Sequence, residues 1–162
     1  MASNAIASQG VKFYRWKSTA PTGWVAIAEI TGVDGPSKTR ETIEVTALDS
    51  VDGYREYIPS LREGGSVSLS MNYTRDTYDI MNGDFESDEK QNYLIAIPDT
   101  DNTMMEFEGL VTEIPFTAAV GDKISANTTV KVSGKVYVFS GESDIPQSDS
   151  TPSAIENDAD IL

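Results

Sequence analysis

The alternation in residues 66–74, SVSLSMNYT, most narrows what this chain can fold into. Val67, Leu69, Met71 and Tyr73 fall on one side, and Ser66, Ser68, Ser70 and Asn72 on the other. Successive side chains of a strand leave opposite faces, whereas a helix would scatter this pattern around its circumference. A run with one apolar face and one face of small polar groups belongs to an antiparallel sheet, packed on one side and wet on the other.

Further runs of the same period flank it. In 23–31 (GWVAIAEIT), Val25, Ile27 and Glu29 oppose Trp24, Ala26, Ala28 and Ile30. A Gly/Pro cluster at 32–37 reads as a turn, and 41–46 (ETIEVT) alternates again, so 23–31 and 41–46 predict a hairpin-like pair. Residues 93–97 form a strand closed by Pro98, and 99–103 (DTDNT) a turn. The return strand is 104–114, with Met105, Phe107 and Val111 opposing Glu106, Glu108 and Thr112. Gly109 is expected to mark a bulge there. A last strand over 127–139 puts Val130, Val132, Val136 and Val138 on one face, interrupted by Gly134. One short helix is expected over 77–82, started by Asp76, helped by Asp79 in its first turn and stopped at Asn82-Gly83. The fold class is mainly β: an antiparallel β-sandwich or barrel with one short flanking α-helix. A length of 162 residues fits one domain over 21–140 with terminal extensions.

Three segments do not fit the alternation. Residues 1–20 are small and polar but carry Phe13, Tyr14 and Trp16, and read as an N-terminal arm that docks through those aromatics. Residues 47–65 (ALDSVDGYREYIPSLREGG) read as a long inter-strand loop, yet Tyr54, Tyr57, Ile58 and Leu61 are large apolar side chains that a solvated loop does not need. Loops of this length in compact domains have a job or are disordered. Residues 141–162 hold six acids and no Lys or Arg, the composition of an acidic flexible tail.

Composition removes several classes of function. Histidine and cysteine are both absent, which excludes Ser-His-Asp and Cys-His catalysis, His or Cys zinc sites and disulfides. The formal net charge of −14 is opposite to the basic footprint of a nucleic-acid binder and repels an anionic membrane. No segment approaches the continuous apolar length of a membrane span, and the N-terminus lacks a secretory signal pattern, so the chain is expected to be made in a cytoplasm. The sequons at Asn72 and Asn127 are then chance matches.

No catalytic or cofactor motif survives closer reading. Asp99-Thr100-Asp101-Asn102 begins like a calcium loop, but no Gly holds the sixth position and Leu110 stands where a bidentate Glu is needed. Glu106 and Glu108 share a strand face as a glycosidase pair might, without an aromatic-lined cleft beside them. Gly64-Gly65 and Gly134-Lys135 lack phosphate-loop spacing, and Gly134 reads instead as a bulge or a close approach within a strand. No cofactor and no metal is expected. Polar termini, polar strand faces and a loop with apolar anchors point to a protein whose work is assembly.

The order of these motifs resembles the major tail tube proteins of long-tailed, non-contractile bacteriophages. The resemblance rests on ETIEVTALD at 41–49, YIPSLREGG at 57–65 followed by VSLSM at 67–71, the helix position at 76–82, and VGD at 120–122 leading to VKVSGK at 130–135. It covers about residues 23–140. It implies a structural protein forming hexameric rings that stack into a hollow tube through which the phage genome passes. It also implies tail tip or initiator, tape measure and terminator proteins as partners, and DNA that passes without specific binding. On this reading Tyr54, Tyr57, Ile58 and Leu61 bury against another subunit. Ser68, Ser70, Asn72, Glu106 and Glu108 are candidates for the lumen wall, since acidic groups repel phosphate. The alternative is a β-sandwich binding or decoration module on a virion or cell surface.

Overall fold

The computed structural model describes residues 5–6, 9–17 and 23–140. The expected tail 141–162 and parts of the expected arm lie outside the described residues. Ten strands and one α-helix follow in the order β1 (Lys12–Lys17), β2 (Gly23–Ala26), β3 (Ile30–Asp34), β4 (Thr39–Glu44), β5 (Tyr57–Glu63), β6 (Ser66–Asn72), α1 (Arg75–Glu86), β7 (Gln91–Ala96), β8 (Thr103–Glu113), β9 (Phe116–Thr117) and β10 (Ser125–Ser140). A single 3-10 turn, Val51–Gly53, lies between β4 and β5.

The main sheet has the order β2-β1-β7-β8-β10-β6-β3, with β9 also paired to β10. Every pairing in it is antiparallel. Its two end strands, β2 and β3, are joined by residues 27–29 alone. Laid flat, seven strands separate their outer members by about 29 Å, whereas the four Cα steps from Ala26 to Ile30 reach at most about 15 Å. The sheet must therefore curl until its ends meet. The connection records the meeting: Ile27 N donates to Phe13 O on β1 (2.9 Å), while Asn72 N on β6 donates to Glu29 O (2.8 Å).

The core fills the inside of the curl. Val67, Leu69 and Met71 from β6 enter it as the alternation predicts, with Phe13, Ile27, Tyr93, Phe107, Val130, Val132 and Val136. Phe13, Tyr93 and Phe107 stack at ring separations of 5.5–6.4 Å. A second buried patch on the opposite face of β1, β7 and β8 holds Tyr14, Leu94, Ala96 and Met104.

Four sequence expectations change. The proposed pairing of 23–31 with 41–46 does not form; β2 pairs with β1, β3 with β6, and β4 with β5. Half of the expected 32–37 turn belongs to β3. The helix is longer than 77–82: Thr74 caps it by accepting from Thr77 N, and it runs through Gly83 to Glu86. Burial of Met81 and Asp84 outweighs the stop signal at Asn82-Gly83, as tertiary packing routinely overrides propensity. Gly109 keeps its ladder register; a Cβ there would lie 2.7 Å from Lys131 O, so it marks a close approach. The shifts in register fall instead between Thr129 and Val130 and between Ser133 and Tyr137, the second around Gly134 at φ +87°.

Candidate assembly interface

Strands β4 and β5 pair only with each other and stand apart from the main sheet. Their register sets Thr39 opposite Glu63, Arg40 opposite Arg62, Ile43 opposite Ile58 and Glu44 opposite Tyr57. What sequence presents as a loop over 47–65 is thus a strand from Tyr57 onward. Period-two reading missed it because its outward residues are apolar on both sides and Pro59 interrupts it.

The tip of the hairpin holds its shape through its own hydrogen bonds. Val45 N donates to Glu56 O at 2.8 Å. Glu56 N donates to Thr46 Oγ1 at 3.0 Å, and Ser50 Oγ bridges Ala47 N and Glu56 Oε2, each at 3.0 Å. The base is fixed by contact too close for a side chain. A Cβ on Gly64 would lie 2.4 Å from Val132 Cγ1, and Gly65, at φ +72°, packs on Ser37 O. Gly65 O accepts from Val132 N at 2.9 Å, tying the hairpin to β10.

On this arm the apolar residues have nothing to cover them within the described residues. Tyr54 and Leu61 are each 76% exposed, and Tyr57 and Ile58 about half. Tyr57 shares a face of β5 with Pro59, Ile58 joins Ile43 across the ladder on the other, and Leu61 sits at the register shift between the Thr42–Pro59 and Arg40–Arg62 pairs. Ile43, Val45, Leu48 and Val51 are exposed as well. Sequence reasoning passed over them because Ile43 and Val45 resemble an ordinary buried strand face. A contiguous exposed apolar surface of this kind marks an interaction site. An isolated two-stranded hairpin is also marginal in water without something packed on it.

Phe13, Tyr14 and Trp16 are placed differently from an arm. They lie in β1, paired with both β2 and β7, and Phe13 and Tyr14 are buried inside this chain. Trp16 meets Trp24 edge-on at 5.3 Å. Phe13 and Tyr14 are core rather than arm contacts, and Trp16 is a half-buried member of the same strand. Lys12, Arg15 and Lys17 between them disguised the strand.

The five candidate lumen residues do share one sheet face. Register across β10 links Asn72 to Ser125, Ser70 to Asn127, Ser68 to Thr129 and Glu108 to Ser133. Ser68 and Ser70 are exposed, and Asn72 and Glu108 half-buried. Glu106 departs from the expectation. It is only 3% exposed, opposite Leu94 and beside the patch of Tyr14 and Met104, so it is not part of a solvated charged wall in this chain.

Asp99 organises the β7–β8 turn, as its sequence suggests, accepting from Thr103 N at 2.7 Å and Thr103 Oγ1 at 2.5 Å. These bonds hold its carboxyl below the usual carboxylate range. Among the described residues no cluster of acids is arranged to hold a metal ion, and no helix is long and apolar enough to cross a membrane.

A curled antiparallel sheet that projects an uncovered apolar hairpin defines a subunit built to join others. The sequence model of the lambda phage tail tube protein family matches residues 8–139, and the chain belongs to that family. It is a phage tail tube structural protein, not an enzyme, and a component of the virion. The tail of an empty gene transfer agent particle, refined with C6 symmetry, has a similar fold at 20% identity and TM-score 0.70, covering 85% of this chain and all of the other. The tail tube of phage SPP1 matches at 11% identity and TM-score 0.65, covering 86% and 82%. The sheath-tube complex of an extracellular contractile injection system matches at 12% identity and TM-score 0.62, covering 86% and 94%. No curated protein sequence matches.

Proposed function

We propose that this chain assembles as hexameric rings stacked into a hollow tube that conducts the DNA genome toward the host cell. The β4–β5 hairpin is the joint, with Tyr54, Tyr57, Ile58 and Leu61 burying against another subunit. The observation that carries this reading is the hairpin itself: an arm fixed at its base and ordered at its tip that leaves its large side chains in water. Aromatic anchors of this kind dominate the energetics of protein interfaces.

The face of Ser68, Ser70, Asn72 and Glu108 suits the lumen. Apart from Lys131 of β10, which shares this face between Thr129 and Ser133, its small neutral and acidic groups offer DNA phosphate little to bind, so the genome passes without being held. Tail tip, tape measure and terminator proteins complete the set of partners. Electron microscopy of concentrated purified protein, with and without a tail-tip seed, tests the proposal. Hollow tubes with six-fold rings are expected; persistent monomers under both conditions favour a decoration module instead.

A further inference from the structure

Where the hairpin leaves the sheet, a cleft of about 630 Å³ opens between β4, β5 and β10. Lys38, Arg40, Arg62, Lys131 and Lys135 line it. Five of the chain's twelve basic residues thus converge in one place on a protein of net charge −14. Among the described residues Glu63 is the one acid in the lining, and its carboxylate reaches Lys131 Nζ only at 4.0 Å between exposed side chains. Arg40 and Arg62 stand directly opposite each other in the β4–β5 ladder. Like charges facing each other across a ladder destabilise it unless an anion comes between them.

We infer that this cleft is the docking site of the chain's own acidic C-terminal segment, residues 141–162. Two observations select this occupant. The first is charge: the segment carries Glu142, Asp144, Asp149, Glu156, Asp158 and Asp160 and no base. The second is tethering. β10 supplies Lys131 and Lys135 to the cleft and ends at Ser140, where the segment begins. Only the rise of four residues, about 13 Å, separates Val136 in the cleft wall from Ser140. A covalently attached anion at that range has an effective concentration that a free competitor must exceed. Guanidinium groups at Arg40 and Arg62 suit paired carboxylates, and the lysines add charge without fixed geometry. Docked acids relieve the Arg40–Arg62 repulsion and brace the hairpin at its root.

The inference concerns the free subunit, so its test does not depend on tube formation. Light and heavy isotope-labelled full-length protein, mixed as monomer, is treated with a carbodiimide that joins amines to carboxylates in contact. Mass spectrometry is then searched for links from Lys38, Lys131 or Lys135 to acids of 141–162. Links within one isotope label are expected, and they should disappear at about 0.5 M salt, where screening is strong. In an R40Q/R62Q variant, which keeps all three lysines, their yield should fall on the order of fivefold as the attraction weakens. Absence of such links overturns the inference. So do links of mixed label, which assign the cleft to a second copy, and links unaffected by the arginine substitutions.

Discussion

Arg15 and Asp84, 69 residues apart in sequence, form a two-pronged ion pair: Arg15 Nε lies 2.8 Å from Asp84 Oδ1 and 2.6 Å from Oδ2, and Arg15 Nη2 reaches Oδ1 at 2.5 Å. Asp84 is nearly fully buried and also accepts from Tyr93 OH at 2.9 Å. The three residues tie β1, α1 and β7 together at the flank of the core. Removing one partner of a buried pair leaves the other charge unsolvated.

Asp84→Ala is therefore expected to destabilise the monomer by about 3 kcal/mol, as read by urea unfolding. Arg15 keeps some contact with water, its side chain being 22% exposed, so Arg15→Met should cost less. The double variant should be milder than the sum of the two, since neither charge is then orphaned.

Tyr93 provides a pH test. Burial, and next the negative charge of Asp84, raise its phenol well above the usual value near 10. A group whose folded value is raised contributes stability that is complete below its unfolded value and is lost as pH rises beyond it. Wild-type stability should fall as pH rises above about 10, and Tyr93→Phe should fall less steeply. Denaturation midpoints across the alkaline range measure this.

Asp99 has the opposite sign. Its carboxyl is held low by the Thr103 hydroxyl and amide, so its contribution is present above the usual carboxylate range and lost as pH falls below it. Asp99→Ala should weaken the β7–β8 turn at neutral pH. The difference from wild type should vanish in strong acid, as followed by hydrogen exchange at Thr103.

The hairpin root gives a steric prediction. Gly64→Ala places a methyl 2.4 Å from Val132 Cγ1, against β10 in a packed junction. Overpacking of this kind costs about 1–3 kcal/mol. The expected result is a lower Tm together with shifted amide resonances along β10 and β5.

The main sheet was legible in the sequence where burial is one-sided. Val67, Leu69 and Met71 alternate with serines because one face of β6 is core and the other water, and most of β10 repeats the logic. β1 was not legible, because the charge of Arg15 reads as exposure until its distant partner Asp84 is known. β5 was hidden for the reverse reason. Its apolar side chains stay exposed in this chain, so Tyr57, Ile58 and Leu61 carry no periodicity that one subunit explains. Glu106 read as surface from its charge, yet it is buried opposite Leu94. The apolar anchors of the hairpin were visible as an anomaly; the strand that presents them became visible only with the ladder to β4.

The central claim is that the hairpin anchors join subunits. It is tested most directly by electron microscopy of a variant with Tyr54, Tyr57, Ile58 and Leu61 all replaced by serine. These side chains are exposed in the monomer, so its unfolding should shift by little, about 0.5 kcal/mol or less for each substitution. Under conditions where the wild type forms tubes, the account predicts a folded variant that stays monomeric. Normal tubes from that variant would contradict it.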